Sequence, residues 1–390
     1  MKIIYSQQPI PNRITKSIFL AGCTNRTENE GISWRLEAIT FLENIGFDGT
    51  VFMPEYENTT LNTSDAFDYA AQIEWEDRCL AIADKVIFWL NRKLDVGRFG
   101  LTSNVEFGKW MNSGKVYLGY PPNADKINYL LHHAEKLNIK TFTDLKRMLI
   151  EVIDDLGDGA ERLGTDVLVP LDVWNHQGFK NWHKGVYDCG NMINDIKIEY
   201  TKIVGTNILF FITVWADIYI RDENRNKSNE VVFIRSDISS CLLYKKDPLN
   251  ILNSDIVLVR EFRTPVNNIT GKVWEIAGGS SFKDGLSPSE IITQEIKEEL
   301  GIDIEPNRLV YHQARQLQAT TLSHKSHLFY CEITDEDLEY LISKKNILKG
   351  DEITTEKTYT EAVKLKSILH TEVVDWANIG QIMSILMLNK

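Results

Sequence analysis

The chain reads as α/β, with an open parallel sheet in its N-terminal part and an α+β arrangement around a mixed sheet in its C-terminal part. Over the first 150 residues, short apolar runs alternate with helical patterns, as a parallel sheet with crossover helices requires. From about Asp166 the apolar runs are separated by polar turns instead, the mark of antiparallel strands. The Gly- and Asp-containing stretch from Asp154 to Gly164 separates the two patterns and predicts domains of 1–160 and 161–390.

The N-terminal strands are expected at Ser17 to Ala21, Thr50 to Met53, Lys85 to Leu90 and Lys115 to Gly119. Helices are expected between them, around Trp34 to Ile45, Ala66 to Ala83 and Asn104 to Asn112. Farther on, strands are expected at Leu209 to Ile220 and Val231 to Arg235, flanking the polar turn Arg221 to Asn229. Residues 167–200, rich in Trp, His and Asn, carry no clear period.

At 390 residues and 43% hydrophobic content, the chain can bury two cores. A formal charge of -12 argues against a nucleic-acid backbone as partner, while phosphate-bearing small molecules stay compatible with it. No apolar run reaches the length of a membrane span and the N-terminus lacks a signal-peptide pattern. The five cysteines are scattered without a C-x-x-C pair. These features predict a cytoplasmic protein with neither a disulfide framework nor a zinc site.

In an open parallel sheet, ligands bind just past the carboxyl ends of the strands. After the first of these strands comes Ala21-Gly22-Cys23-Thr24-Asn25-Arg26, a small-residue turn with a cation able to meet phosphate. After the third come Thr102, Ser103 and Asn104, with Glu106 in the first turn of the next helix, and the preceding helix offers Trp75-Glu76-Asp77. Trp75, Trp89 and Trp110 read as core residues, and Arg98 and Arg26 as either ion-pair partners or phosphate ligands.

The run Phe19-Leu20-Ala21-Gly22, the helix Trp75-Glu76-Asp77-Arg78 leading to Ala83 through Trp89, and the ending Val105-Glu106-Phe107-Gly108 resemble the nucleoside 2-deoxyribosyltransferase superfamily over roughly residues 16–120. The resemblance implies a flavodoxin- or Rossmann-like domain that cleaves or transfers the N-glycosidic bond of a nucleoside or nucleotide. It makes Glu106 the nucleophile on the anomeric carbon and Asp77 the acid that contacts base or sugar. Gly22, Arg26, Thr102, Ser103 and Asn104 would then bind substrate, with no cofactor in this domain, and relatives often share sites across subunits of a homo-oligomer. The Gly-x-Gly spacing that often precedes the family's glutamate is absent.

In the C-terminal part, Glu295, Glu298 and Glu299 stand at i, i+3 and i+4, so on an α-helix they share one face. Three such carboxylates suit a hard cation, Mg2+ or Mn2+. The order of the segments around them, Asp255 to Arg263, Val273 to Gly279, the acidic helix and a Gly301 stop, resembles the Nudix hydrolases, particularly the ADP-ribose pyrophosphatase branch. The box departs from the family pattern at Gln294, Leu286 and Ser280, which replace an arginine, a glutamate and a glycine.

The resemblance implies metal ligation by Glu295, Glu298, Glu299 and the carbonyl near Ala277, catalysis through Glu298, and contact of Arg263 and Glu275 with a nucleoside diphosphate derivative. Glu352, Glu356 and Glu361 are candidates for a late-loop base, whereas His312, His324 and His327 lack metal spacing. Two functions follow from these readings. In one, a two-domain enzyme breaks an N-glycosidic bond and hydrolyses a substrate such as ADP-ribose with Mg2+. In the other, the C-terminal domain binds such a ligand without hydrolysis and regulates the N-terminal glycosidase.

Overall fold

Apolar runs of four to six residues in the N-terminal part are buried along their whole length, and each becomes a strand of one parallel sheet. The computed structural model describes residues 1–25, 32–57, 68–205, 208–280, 285–349 and 357–388. It comprises two compact units, Met1–Ile234 and Arg235–Lys390.

The first unit opens with β1 (Lys2–Tyr5), β2 (Arg13–Ile14), β3 (Ser17–Gly22), α1 (Trp34–Asn44), β4 (Thr50–Met53), α2 (Tyr69–Ile82), β5 (Lys85–Trp89) and α3 (Leu101–Trp110). It continues with β6 (Val116–Gly119), α4 (Asn128–Lys136), β7 (Thr141–Phe142) and α5 (Leu145–Leu156). Six strands pair in the order β1-β4-β3-β5-β6-β7, all parallel. Alternate residues feed two cores. Phe19, Ala21, Val86 and Phe88 pack with Leu80 of α2, Phe107 of α3 and Leu130 of α4. Ile18, Leu20, Ile87 and Trp89 pack with Ala38 and Leu42 of α1 and with Met148 and Val152 of α5. Because β4 lies on one side of β3 and β5 on the other, the chain reverses direction across the sheet between β3 and β5. The crevice at their carboxyl ends is the place where such sheets bind ligands.

The segment that carried no clear period continues this unit. It forms β8 (Arg162–Leu163), α6 (Leu171–Asn175), α7 (Gln177–Asp188) and an antiparallel sheet of β9 (Met192–Val204), β10 (Ile208–Ile220), β11 (Arg225–Lys227) and β12 (Val231–Ile234). The division into compact units thus falls at Ile234 rather than at residue 160. A buried ion pair explains the shift. Arg162 donates from Nη1 and Nη2 to the two oxygens of Asp84, each at 2.7 Å, and both side chains are fully buried. Asp84 also accepts from the Leu171 amide at 2.7 Å and from Ser17 Oγ at 3.0 Å, so the 162–171 segment is tied to the starts of β3 and β5.

The second unit contains β13 (Ile238–Lys245), β14 (Asp255–Phe262), β15 (Lys272–Glu275), β16 (Ala277–Gly279), α8 (Pro288–Glu295), β17 (Val310–Gln316), β18 (Lys325–Glu332), α9 (Asp335–Ser343), β19 (Thr358–Lys364), α10 (Leu365–Ile368) and α11 (Trp376–Leu388). The sheet is mixed, as expected, since β13 runs parallel to β18 and its other pairings are antiparallel. The expected single strand from Val273 to Gly279 is two, β15 on β14 and β16 on β13. The break falls at Ile276, whose amide donates to Asn378 Oδ1 instead of to a ladder partner. Among the described residues, no helix is long and apolar enough to cross a membrane.

Replacing Arg162 by Met leaves the Asp84 carboxylate buried without its countercharge. The expected cost is about 3–5 kcal/mol of folding stability, read as a lower urea midpoint. Unchanged stability would show that the pair does not hold the 162–171 segment to the sheet.

Candidate active site

At the carboxyl end of β3 the backbone must pass close to β5. Gly22 has φ +144°, and a Cβ there would lie 2.1 Å from the Trp89 carbonyl oxygen, so only glycine fits. The turn beyond it is held by Arg35 of α1, which is 2% exposed. Arg35 donates to the carbonyls of Leu20 at 2.8 Å and Gly22 at 2.7 Å, to Thr24 Oγ1 at 3.1 Å and to Glu55 at 2.6 Å. A cation is thereby fixed at the switch point by the backbone it organises.

Glu106 stands on α3, across from α2. Its carboxyl is pushed up to about 7, first by burial and next by the charge of Glu76, with Arg35 pulling the other way. Glu76 is raised as well, chiefly by burial, and accepts Gln72 Nε2 at 2.6 Å. Gln72 is anchored in turn by Ser6 and by the Pro54 carbonyl. The site is therefore a pair of half-hidden carboxyls, each raised chiefly by burial, with Glu76 further disfavouring the ionisation of Glu106 and one buried guanidinium opposing both shifts. Proton release from such a pair belongs to both groups together.

The residues expected at this site separate into two sets. Glu106 and Asp77 do stand near each other, but Asp77 acts on Glu106 less strongly than Glu76 does. Asp77 is half exposed and pairs with Lys109 at 2.8 Å, the kind of surface contact worth about 0–1 kcal/mol. Of the Glu76-Asp77 pair, Glu76 is the more buried carboxyl and the one that acts more strongly on Glu106. Adjacent helical residues point about 100° apart, and apolar spacing alone does not say which of the two faces in. Arg35 was missed entirely, because its partners are carbonyls brought together only by the fold.

The helix begins three residues earlier than expected, at Leu101, behind Gly100 in the left-handed region at φ 61°. Thr102 is exposed, Ser103 is buried, and Asn104 accepts from Arg92 at 2.5 Å, on the side of α3 away from Glu106. Arg26 lies outside the described residues. Trp89 belongs to the core, with Trp75 and Trp110 packed partly buried against it.

Residues 15–124 match the family model described as nucleoside 2-deoxyribosyltransferase like. The matched span carries Gly22, Arg35, Glu76, Asp77 and Glu106, and it points to an enzyme of nucleoside or nucleotide chemistry. No match to the chain is found among curated proteins.

In the second unit the three box glutamates do not form one group. The α-helix gives way to a π-helical turn over Ile296–Leu300, and this wider turn breaks the i, i+3, i+4 alignment. Glu298 is exposed, whereas Glu299 accepts the Gly278 amide at 2.9 Å and is raised well above the usual carboxylate range by burial and then by Glu295. Glu295 lies against Gly279, where a Cβ would come within 2.5 Å of its carboxylate. Among the described residues, no three His, Cys, Asp or Glu side chains converge as a metal cage. Two carboxylates beside a substrate diphosphate are nonetheless a donor set that Mg2+ accepts.

Ala277 is buried next to these carboxylates, in β16. Arg263 pairs with Glu275 at 3.0 Å and with Glu261 at 3.1 Å. Ser280 accepts Arg235 at 2.8 Å. Glu361 is buried between Arg260 and Lys345, at 2.8 and 2.9 Å. Glu352 and Glu356 lie outside the described residues.

Replacing Glu76 by Gln removes the nearest like charge and is expected to lower the Glu106 pKa from about 7, as followed by carbon-13 NMR of labelled carboxyls. The folded state holds this proton more tightly than the unfolded one. The stability contributed by Glu106 is therefore complete below 4.5 and is lost as pH rises through about 7, and the Gln variant should narrow that window. An unmoved pKa would remove Glu76 from the site.

Proposed function

We propose that the N-terminal domain cleaves or transfers the N-glycosidic bond of a nucleoside or nucleotide, with Glu106 as nucleophile. The observation that carries this reading is the placement of Glu106 at the switch-point crevice beside Glu76 and Arg35. In the first step a Glu106 oxygen bonds to the anomeric carbon as the carbon–nitrogen bond breaks, and its electron pair leaves with the base. The departing nitrogen takes a proton from Glu76, whose hold on that proton burial strengthens. Water or a second base then attacks the same carbon and releases Glu106. Arg35 steadies the charge of whichever carboxyl is ionised.

For the C-terminal unit we propose binding of a nucleoside diphosphate derivative such as ADP-ribose, in a Nudix-like site where Arg263 meets the diphosphate and Glu275 the nucleoside. Glu295 and Glu299 would hold Mg2+ there, and the cation would neutralise the diphosphate. The exposure of Glu298 favours ligand binding over hydrolysis, and thus a sensor for the N-terminal activity.

Incubation with nucleosides, nucleotides, ADP-ribose and NAD, with and without Mg2+, separates the readings when free base and monophosphate are scored apart. Glu106→Gln should reduce base release on the order of 10³-fold or more, and release at the wild-type rate would end the glycosidase assignment. Because the nucleophile must be ionised, base release should fall as pH drops below about 7, and Glu76→Gln, which removes the proton donor, should lower base release across the whole pH range. Mg2+-dependent monophosphate that survives Glu299→Gln would remove the carboxylate pair from the C-terminal site.

A further inference from the structure

On the side of α3 away from Glu106 lies a cavity of about 390 Å³ between α3 and α4. Two residues along an α-helix turn the side chain by about 200°, so Asn104 and Gly108 open onto this cavity while Glu106 faces α2. Its size falls in the range of about 300–1,000 Å³ usual for small-molecule sites.

The lining has a definite chemistry. Arg92, Lys126 and His133 supply cationic or donor groups, Phe107 and Tyr129 supply rings, and none of the nine lining residues carries a carboxylate. In a chain of net charge -12, that composition is a local reversal. Arg92 is 5% exposed and held rigidly, Nη2 donating to Asn104 at 2.5 Å and Nη1 to the Lys126 carbonyl at 2.8 Å. Those two bonds use two of its five N–H donors. Lys126 takes a left-handed backbone, φ 52°, which a residue with a side chain adopts at a cost, and this conformation presents the carbonyl that clamps Arg92. The nearest acid in sequence, Asp125, is engaged by the Leu94 amide at 2.9 Å. Tyr129 is 74% exposed and meets the His133 ring edge-on at 4.7 Å, forming an aromatic wall beside the cations. At Gly108 a Cβ would meet nothing within 4 Å, so the α3 side of the cavity is open.

We propose that this cavity is a second binding site, distinct from the Glu106 crevice, for a compact anion carrying an aromatic ring, of the nucleoside monophosphate class. The anion sits against Arg92 and Lys126, and the ring lies along Tyr129 and His133. The proposal holds whichever reaction Glu106 performs.

The test is calorimetric titration of the full chain with adenosine 5'-monophosphate, adenosine and inorganic phosphate, joined to photolabelling with 8-azido-adenosine monophosphate. The monophosphate should bind at least about tenfold more tightly than adenosine or phosphate alone, since each of these satisfies half of the lining. Gly108→Leu fills the cavity from an open position and should weaken binding by roughly tenfold or more, and Lys126→Ala by about fivefold. The label should map to the peptide bearing Tyr129 and His133. No binding by the wild type, affinities unchanged in both variants, or labelling confined to residues of the Glu106 crevice would each overturn the site.

Discussion

The Asp84–Arg162 pair is the contact on which the first unit turns. A carboxylate with no exposed surface is tolerable only when its lone pairs are filled, and Asp84 fills them with two guanidinium nitrogens, a hydroxyl and a backbone amide. These partners come from the start of β3, from β8 and from the start of α6, so one side chain fixes three segments distant in sequence. The pair sits at the amino ends of the central strands. The carboxyl ends of the same strands are held separately, by Arg35 on the Leu20 and Gly22 carbonyls and by the close approach of Gly22 to Trp89.

The charges at the switch-point crevice are in conflict by construction. Burial raises both Glu76 and Glu106, Glu76 raises Glu106 further, and the buried cation between the strand ends is already shared with Glu55 and three backbone or hydroxyl oxygens. A purely structural cluster would be expected to resolve such a clash with a further counterion. Asp77 has a partner in Lys109 and adds its charge to those that raise Glu76 and Glu106.

Much of the first unit was legible because its strands are buried on both faces and so read as unbroken apolar runs, such as Thr50 to Met53. Glu106 was legible from its position after such a run. What stayed hidden depended on contacts between distant residues. Nothing local marks Arg35 as a buried cation or Arg162 as a core residue, and the polar character of the 162–200 stretch disguised its attachment to the sheet. In the second unit the spacing of three glutamates described an ideal α-helix, and the helix does not stay ideal.

The π-helical turn shows which demand prevails there. Ile292, Ile296 and Leu300 are four residues apart and all have no exposed surface. In a regular α-helix a spacing of four advances about 40° per step, so a third apolar residue drifts off the buried line. Widening the last turn reverses that drift and returns Leu300 to the interior. Glu298, two residues and so about 200° from Ile296, faces solvent. Acidic chemistry in this segment is thus subordinate to the fit of a leucine, and a change that relaxed the packing at Leu300 would alter which carboxylates meet without touching a single acidic residue.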